Sequence, residues 1–199
     1  MLATAALAIS PGPDNIYVLM QSIVHGKKYG LATVAGLISG CLIHTSLVAF
    51  GVSAVIKESD TIFFIIKLFG ALYLLFLAYK VFRSEAKLDL GSEELPKKSL
   101  WQLFKQGFIM NVLNPKVSIF FLAFFPSFLF SDSLSTVIQF YVLGLLFMFV
   151  STLIFSAIAI LAGYISDYTK QHSRVGIYFK WLQIIVFVGI AIFIFIAEK

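Results

Sequence analysis

The sequence predicts an all-α, polytopic membrane protein of six transmembrane helices, built as two inverted three-helix repeats with helices one and four broken near the midplane. Three observations predict it. Of 199 residues, 60% are hydrophobic and 13% charged, too little polar surface for a water-soluble domain of this length. The apolar residues fall into six segments close to the ~20 residues that a helix needs to cross a hydrocarbon core. The first and fourth segments each hold a proline interruption followed at once by a charged side chain, and a duplicated three-span unit necessarily enters the membrane upside down.

The spans are expected at Met1–Val24, Leu31–Ile56, Thr61–Phe82, Phe104–Phe130, Ser135–Tyr164 and Ile177–Ala197. They make one membrane domain over 1–199, with a first half at 1–83, a linker at 84–103 and a second half at 104–199. The first segment is interrupted by Pro11-Gly12-Pro13-Asp14-Asn15. It lacks the basic leader of a signal peptide, and its apolar character resumes at Ile16–Met20, so it is read as a span. Whether the native start lies upstream of Met1 is left open.

Charge placement gives an independent count. Lys27 and Lys28 fall in loop one; Lys80, Arg83, Lys87, Lys97, Lys98 and Lys105 in or beside loop three; Lys170, Arg174 and Lys180 in or beside loop five. The other side holds Lys57 and Lys199 with Glu58, Asp60, Asp132 and Glu198. Positive-inside logic puts loops one, three and five in the cytoplasm and both termini outside, an alternation that works only with six spans. The formal net charge of +5 therefore belongs to cytoplasmic loops and calls for no nucleic-acid partner. Loop three, with Glu85, Asp89, Glu93, Glu94 and Pro96 among its lysines, reads as a solvated linker. The single cysteine, Cys41, excludes an intrachain disulfide framework and reads as a small packing residue.

The interruptions carry the chemistry. Pro11 and Pro13 remove backbone donors and Gly12 loosens the chain, so a continuous helix is not expected there. Asn111-Val112-Leu113-Asn114-Pro115-Lys116 interrupts span four in the same way. At a rise of about 1.5 Å per residue, Asp14 lies roughly 20 Å into span one and Lys116 roughly 18 Å into span four, entering from opposite sides. An ionised group at that depth costs about 2.5–3.5 kcal/mol on translocon scales unless paired or hydrated. Aligning Pro13 with Pro115 sets Asp14 opposite Lys116, the arrangement of secondary transporters whose sites lie at the midplane between inverted repeats.

These residues resemble a known family. Pro11-Gly12-Pro13-Asp14-Asn15 resembles the PGP(D/N)N signature of LysE/RhtB family amino-acid exporters. Asn114-Pro115-Lys116, followed by the aromatic run Phe120–Pro126, is similar to its second signature. Gly26, Gly30, Gly36, Gly40 and Gly70-Ala71-Leu72-Tyr73-Leu74 also look like the family. Ser127 departs from it, standing where glutamine is often found. The resemblance implies a LysE-type translocator: a multi-pass exporter of the bacterial cytoplasmic (inner) membrane that exports amino acids or related small metabolites. It also implies a homodimer driven by proton motive force. Carried over residue by residue, the transport site is Pro11, Gly12, Pro13, Asp14, Asn15, Asn114, Pro115 and Lys116.

A zwitterionic substrate needs an anionic partner for its ammonium and a cationic one for its carboxylate, which Asp14 and Lys116 would supply. Asp14 is the leading candidate for proton coupling. His44 stands on the Ala32-Gly36-Gly40 face of span two and reads either as a hydrogen-bonded packing residue or as a proton relay. Lys67 is expected to snorkel, Ser151, Thr152 and Ser156 to bond between helices, and Gln183 to do the same or to line the pathway. No cofactor or resident metal is expected. A cation transporter is the alternative, disfavoured because the spans offer one carboxylate, one thiol and one deeply placed imidazole. An intramembrane enzyme would need a nucleophile–base pair or paired aspartates, and the spans contain neither.

Overall fold

The computed structural model describes residues 2–10, 12–54, 59–84, 97–171 and 175–196. Pro11, the centre of loop three at 85–96, and Lys57, Glu58, Arg174, Glu198 and Lys199 lie outside the described residues. Every regular element among those described is helical: α1 (Leu2–Ile9), α2 (Pro13–His25), α3 (Lys27–Leu47), α4 (Asp60–Arg83), α5 (Leu100–Val112), α6 (Pro115–Ile119), α7 (Thr136–Ile160), α8 (Ala162–Gln171) and α9 (Val175–Ile196). A π turn, Val48–Val52, extends α3; a π turn, Phe120–Phe124, and a 3-10 turn, Phe125–Phe128, extend α6.

The helix starts follow from local sequence. Ser59 caps α4 by accepting from the Ile62 amide, and Ser135 caps α7 by accepting from Ile138. Ser99 and Gln102 form a reciprocal capping box on α5, so helix begins at Leu100, inside the segment expected to be linker. A capping box satisfies two amides that loop geometry would leave to water. Between α2 and α3 the chain turns at Gly26, whose φ of 98° suits only glycine without strain.

Four helical stretches are long and apolar enough to cross a membrane: Lys27–Val52, Thr61–Arg83, Thr136–Ile160 and Gly176–Ile196. Leu100–Val112 with Pro115–Phe128 makes a fifth if the pair, bent by 48°, is taken as one span. The first segment divides into helices of 8 and 13 residues, each too short to span alone at about 1.5 Å per residue. The fifth expected span is shorter than Ser135–Tyr164: α7 ends at Ile160, and α8 sets off separately.

Phe64, Phe69 and Phe76 on α4, Leu145, Phe149 and Leu153 on α7, and Ile185, Ile192 and Phe195 on α9 are exposed. Apolar surface this extensive belongs in lipid rather than water, and the protein is a multi-pass membrane protein. The interior is made by close approach. α3 packs along α5, α4 along α9, and α7 against α1, α2 and α3. A Cβ on Gly36 would collide with the Phe104 carbonyl, and one on Gly107 with the Thr33 carbonyl. These two glycines let the α3 and α5 backbones touch, as small residues do where membrane helices cross.

Candidate functional site

Two chain interruptions meet in the interior. α1 stops at Ile9 and α2 starts at Pro13; α5 stops at Val112 and α6 starts at Pro115. The two restarts are alike residue for residue. Gly12 and Asn114 are the N-caps, Pro13 and Pro115 occupy the first helical position, and Asp14 and Lys116 the second. Proline is tolerated there because its missing N–H would find no intrahelical acceptor anyway.

Each charged group is held by the opposite interruption. Asn114 Nδ2 donates to Asp14 Oδ2 at 2.7 Å, and Lys116 Nζ donates to the Ser10 carbonyl at 3.1 Å. Asn114 also accepts from the Lys116 backbone amide through Oδ1 at 3.0 Å, so one side chain caps α6 and grips Asp14. Asp14 is 7% exposed and sits at the N-terminus of α2, the end of the helix dipole that attracts an anion. Lys116 has the opposite relation to α6; the Ser10 carbonyl and the face of Phe187, 5.6 Å from Nζ, compensate. A charge-assisted hydrogen bond contributes about 1.5–3 kcal/mol, comparable to the cost of placing each charge at this depth.

The carbonyls freed by the interruptions are likewise caught. Asn15 Nδ2 donates to the Ala8 carbonyl at 2.7 Å. Pro115 cannot give Asn111 its i→i−4 bond; the Asn111 carbonyl instead receives the Asn114 amide at 2.9 Å and lies 3.0 Å from His44 Nε2. Since a carbonyl only accepts, His44 donates from Nε2. His44 is 4% exposed, on the α3 face carrying Gly36 and Gly40, as the sequence pattern indicates.

The structure thus brings together Gly12, Asp14, Asn15, Asn114 and Lys116, with Pro13 and Pro115 exposed at the helix starts. Pro11 lies outside the described residues. A cavity of about 20 Å³ between the interruptions is lined by Asp14, Asn15, Asn111, Asn114, Lys116 and Ser151, with Cys41 among its walls. That is room for about one water and not for an amino acid. Phe147 lines this cavity and also a second, of about 440 Å³, between α1, α7 and the Phe124–Phe128 turn. On the other side, Val18, Val34, Leu37, Phe155 and Ala159 form a separate dry cluster.

Two cavity residues were not singled out as ligands from sequence. Asn111 stands four residues before Pro115, so its carbonyl is the one that proline leaves unpaired; that spacing was a usable signal. Ser151 was expected to bond between helices, but its Oγ has no partner among the described residues. Thr152 bonds back to the Met148 carbonyl within α7 at 2.7 Å, the ordinary fate of a hydroxyl on a helix.

A family model described as LysE type translocator matches residues 5–198. The chain is 32% identical over 170 residues, 85% of its length and 82% of the relative's, to the homoserine/homoserine lactone efflux protein of Salmonella typhimurium. It is 25% identical over 191 residues, 96% of its length and 90% of the relative's, to the leucine efflux protein of Klebsiella pneumoniae. No solved structure matches the chain.

Proposed function

The chain belongs to the LysE type translocator family, and from that premise we propose that it exports amino acids or closely related metabolites across the bacterial cytoplasmic membrane, driven by proton motive force. The observation that carries this reading is the reciprocal clasp of Asp14 by Asn114 and of Lys116 by the Ser10 carbonyl. An anion and a cation held in one interior site match the two ends of a zwitterion. The present partners, a neutral amide on the carboxylate and a carbonyl on the amine, occupy the places of a substrate ammonium and a substrate carboxylate. Substrate then exchanges ion–dipole contacts for full ion pairs. The two relatives above are named for homoserine, homoserine lactone and leucine; homoserine and leucine carry both α-groups, the lactone the ammonium alone.

The architecture behind the reading is six spans in two halves: α1/α2, α3 and α4 against α5/α6, α7 and α9. Contacts between the halves support this reading. α3 lies along the broken helix of the second half and α7 along that of the first, while α4 pairs with α9 and α3 with α7. Ser10 and Asp14 at the first break and Asn111 at the second are buried in protein, where irregular backbone is tolerated. In this reading the linker expected at 84–103 is cytoplasmic and both termini lie outside.

Alternating access follows from the two apolar closures. The cluster around Val18, Leu37 and Phe155 seals the cytoplasmic side, since α2 runs from the site towards loop one. Phe147 lines both the site and the larger cavity on the external side, and in this reading it is the barrier between them. Asp14 carries the coupling proton: protonation releases the substrate ammonium, and deprotonation in the cytoplasm restores the site. His44 holds the Asn111 carbonyl and keeps the second interruption in shape. A homodimer is part of the proposal by family resemblance.

The deciding experiment loads cells or vesicles with labelled amino acids, with and without the protein and with and without an uncoupler. Uncoupler-sensitive efflux that requires the protein is the expected result. Absence of efflux for every amino acid removes the reading.

A further inference from the structure

The central cavity holds two polar atoms with nothing to bond. Asn111 Oδ1 and Ser151 Oγ are both without a hydrogen-bond partner among the described residues, both belong to residues lining the cavity, and those residues are 4% and 1% exposed. A buried unsatisfied polar atom costs about 1–3 kcal/mol, and two of the six such atoms among the described residues belong to residues lining this one cavity. The Asn111 oxygen reaches its place because residue 40 is glycine; a Cβ there would press on Oδ1 at 2.7 Å. Ser151 lies midway between Phe147 and Phe155 on α7, four residues from each, and all three line the cavity.

We infer that Asn111 and Ser151 form the side-chain subsite of the transport site, and that it selects a small amino acid whose side chain carries a hydroxyl group over an isosteric aliphatic one. This rests on the exporter reading above and deepens it. Asp14 and Lys116 take the α-ammonium and α-carboxylate, which all amino acids share, so they discriminate little between them. Discrimination falls to the remaining cavity atoms. Asn111 Oδ1 accepts from a substrate hydroxyl, while Ser151 Oγ donates to the same oxygen or accepts from it. Phe147 and Phe155 close the subsite at both ends and limit side-chain length. An aliphatic side chain displaces water from these atoms and leaves them unpaired, whereas a hydroxyl satisfies them. Sites built to bond a substrate hydroxyl reject the analogue lacking it far more strongly than apolar pockets reject an extra methylene.

The test is efflux of L-homoserine against L-norvaline, which replaces the terminal hydroxyl by methyl at nearly constant size, from proteoliposomes carrying the purified protein. Wild type is expected to favour homoserine by about tenfold or more in kcat/KM, equivalent to 1.4 kcal/mol. Ser151→Ala removes an oxygen with no partner among the described residues, so the fold is expected to stand and the preference to narrow several-fold through the homoserine KM. Asn111→Leu is expected to narrow it further. Equal export of homoserine and norvaline by wild type, or an unchanged ratio in Ser151→Ala, overturns the subsite while leaving the exporter reading standing. Export of neither compound, nor of any other amino acid in the panel, overturns both.

Discussion

Asn114 Nδ2 and Asp14 Oδ2 lie 2.7 Å apart across 100 residues of chain, and this bond joins the two interruptions directly. Its donor is neutral, so the carboxylate is held without being neutralised. That state suits a site whose natural cation arrives with the substrate, because a permanent ion pair would have to be broken at every cycle.

Asp14→Asn is therefore expected to separate folding from transport. The amide preserves size and keeps a hydrogen-bonding group before Asn114, and it removes the cost of a buried charge. Thermal stability in detergent should be equal or higher. Export should fall roughly 10- to 100-fold, the worth of a charged hydrogen bond of about 1.5–3 kcal/mol. Vesicle efflux together with a melting curve checks both halves; export at the wild-type rate contradicts the assigned role.

Lys116→Met gives the matching result for the cation. Methionine fills the same volume along Phe187 without a charge to desolvate. Membrane insertion and melting temperature are expected to hold, while homoserine export falls at least tenfold. A variant that exports normally would show that Lys116 only staples the Ser10 carbonyl.

Much of this site was legible in the sequence because proline and ionised groups are costly in a membrane helix. Pro13-Asp14 and Pro115-Lys116 each announce a break and a buried charge at the same depth, and their meeting follows from there being one place to hide both. The partners were less legible. A reading that sets Asp14 opposite Lys116 cannot foresee that Asn114 and the Ser10 carbonyl are their partners, since the choice depends on sub-ångström registration of two helix starts. Nor does hydropathy reveal the π turn at Phe120–Phe124, which places Phe120, Phe121, Phe124 and Phe125 all in the interior; a regular α-helix would turn part of such a run to lipid. Composition likewise carried the expected fifth span on to Tyr164, because Leu161, Ala162 and Gly163 continue its apolar run past the end of α7 at Ile160.

Gly36 and Gly107 should tolerate no enlargement. The backbones they bring together leave no space for a Cβ, and overpacking costs about 1–3 kcal/mol even where side chains can yield. Gly36→Leu, facing the Phe104 carbonyl, is expected to aggregate on solubilisation, as read by fluorescence-detected size exclusion. Gly163 has open space around a Cβ, and Gly163→Ala should elute as wild type does.

His44 can be tested by an isosteric donor. If its task is to bond the Asn111 carbonyl that Pro115 strips of a partner, His44→Gln should keep at least half of export and all of its uncoupler sensitivity. His44→Leu should lose stability by about 0.5–1.5 kcal/mol for one lost hydrogen bond, since the Asn111 carbonyl keeps the Asn114 amide. Loss of uncoupler sensitivity in a stable His44→Gln protein would instead make the imidazole a proton carrier.

Cys41 offers a native reporter of the barrier at Phe147. It is 1% exposed, lines the central cavity, and is the chain's single cysteine. Phe147 stands between that cavity and the one of about 440 Å³. Removing the ring in Phe147→Ala joins the two spaces. A small membrane-impermeant methanethiosulfonate added outside intact cells should then modify Cys41 at least tenfold faster than in wild type. Excess homoserine should slow the reaction by filling the site. Phe155→Ala, on the other side of Ser151, opens towards the dry cluster of Val18, Val34 and Leu37, so external labelling should stay at the wild-type rate. Acceleration in both variants, or in neither, would mean that Phe147 is not the external barrier. Acceleration in Phe147→Ala alone orders the path as outer cavity, Phe147, charged site and inner cluster, and that order is what an exporter needs to release its cargo outwards.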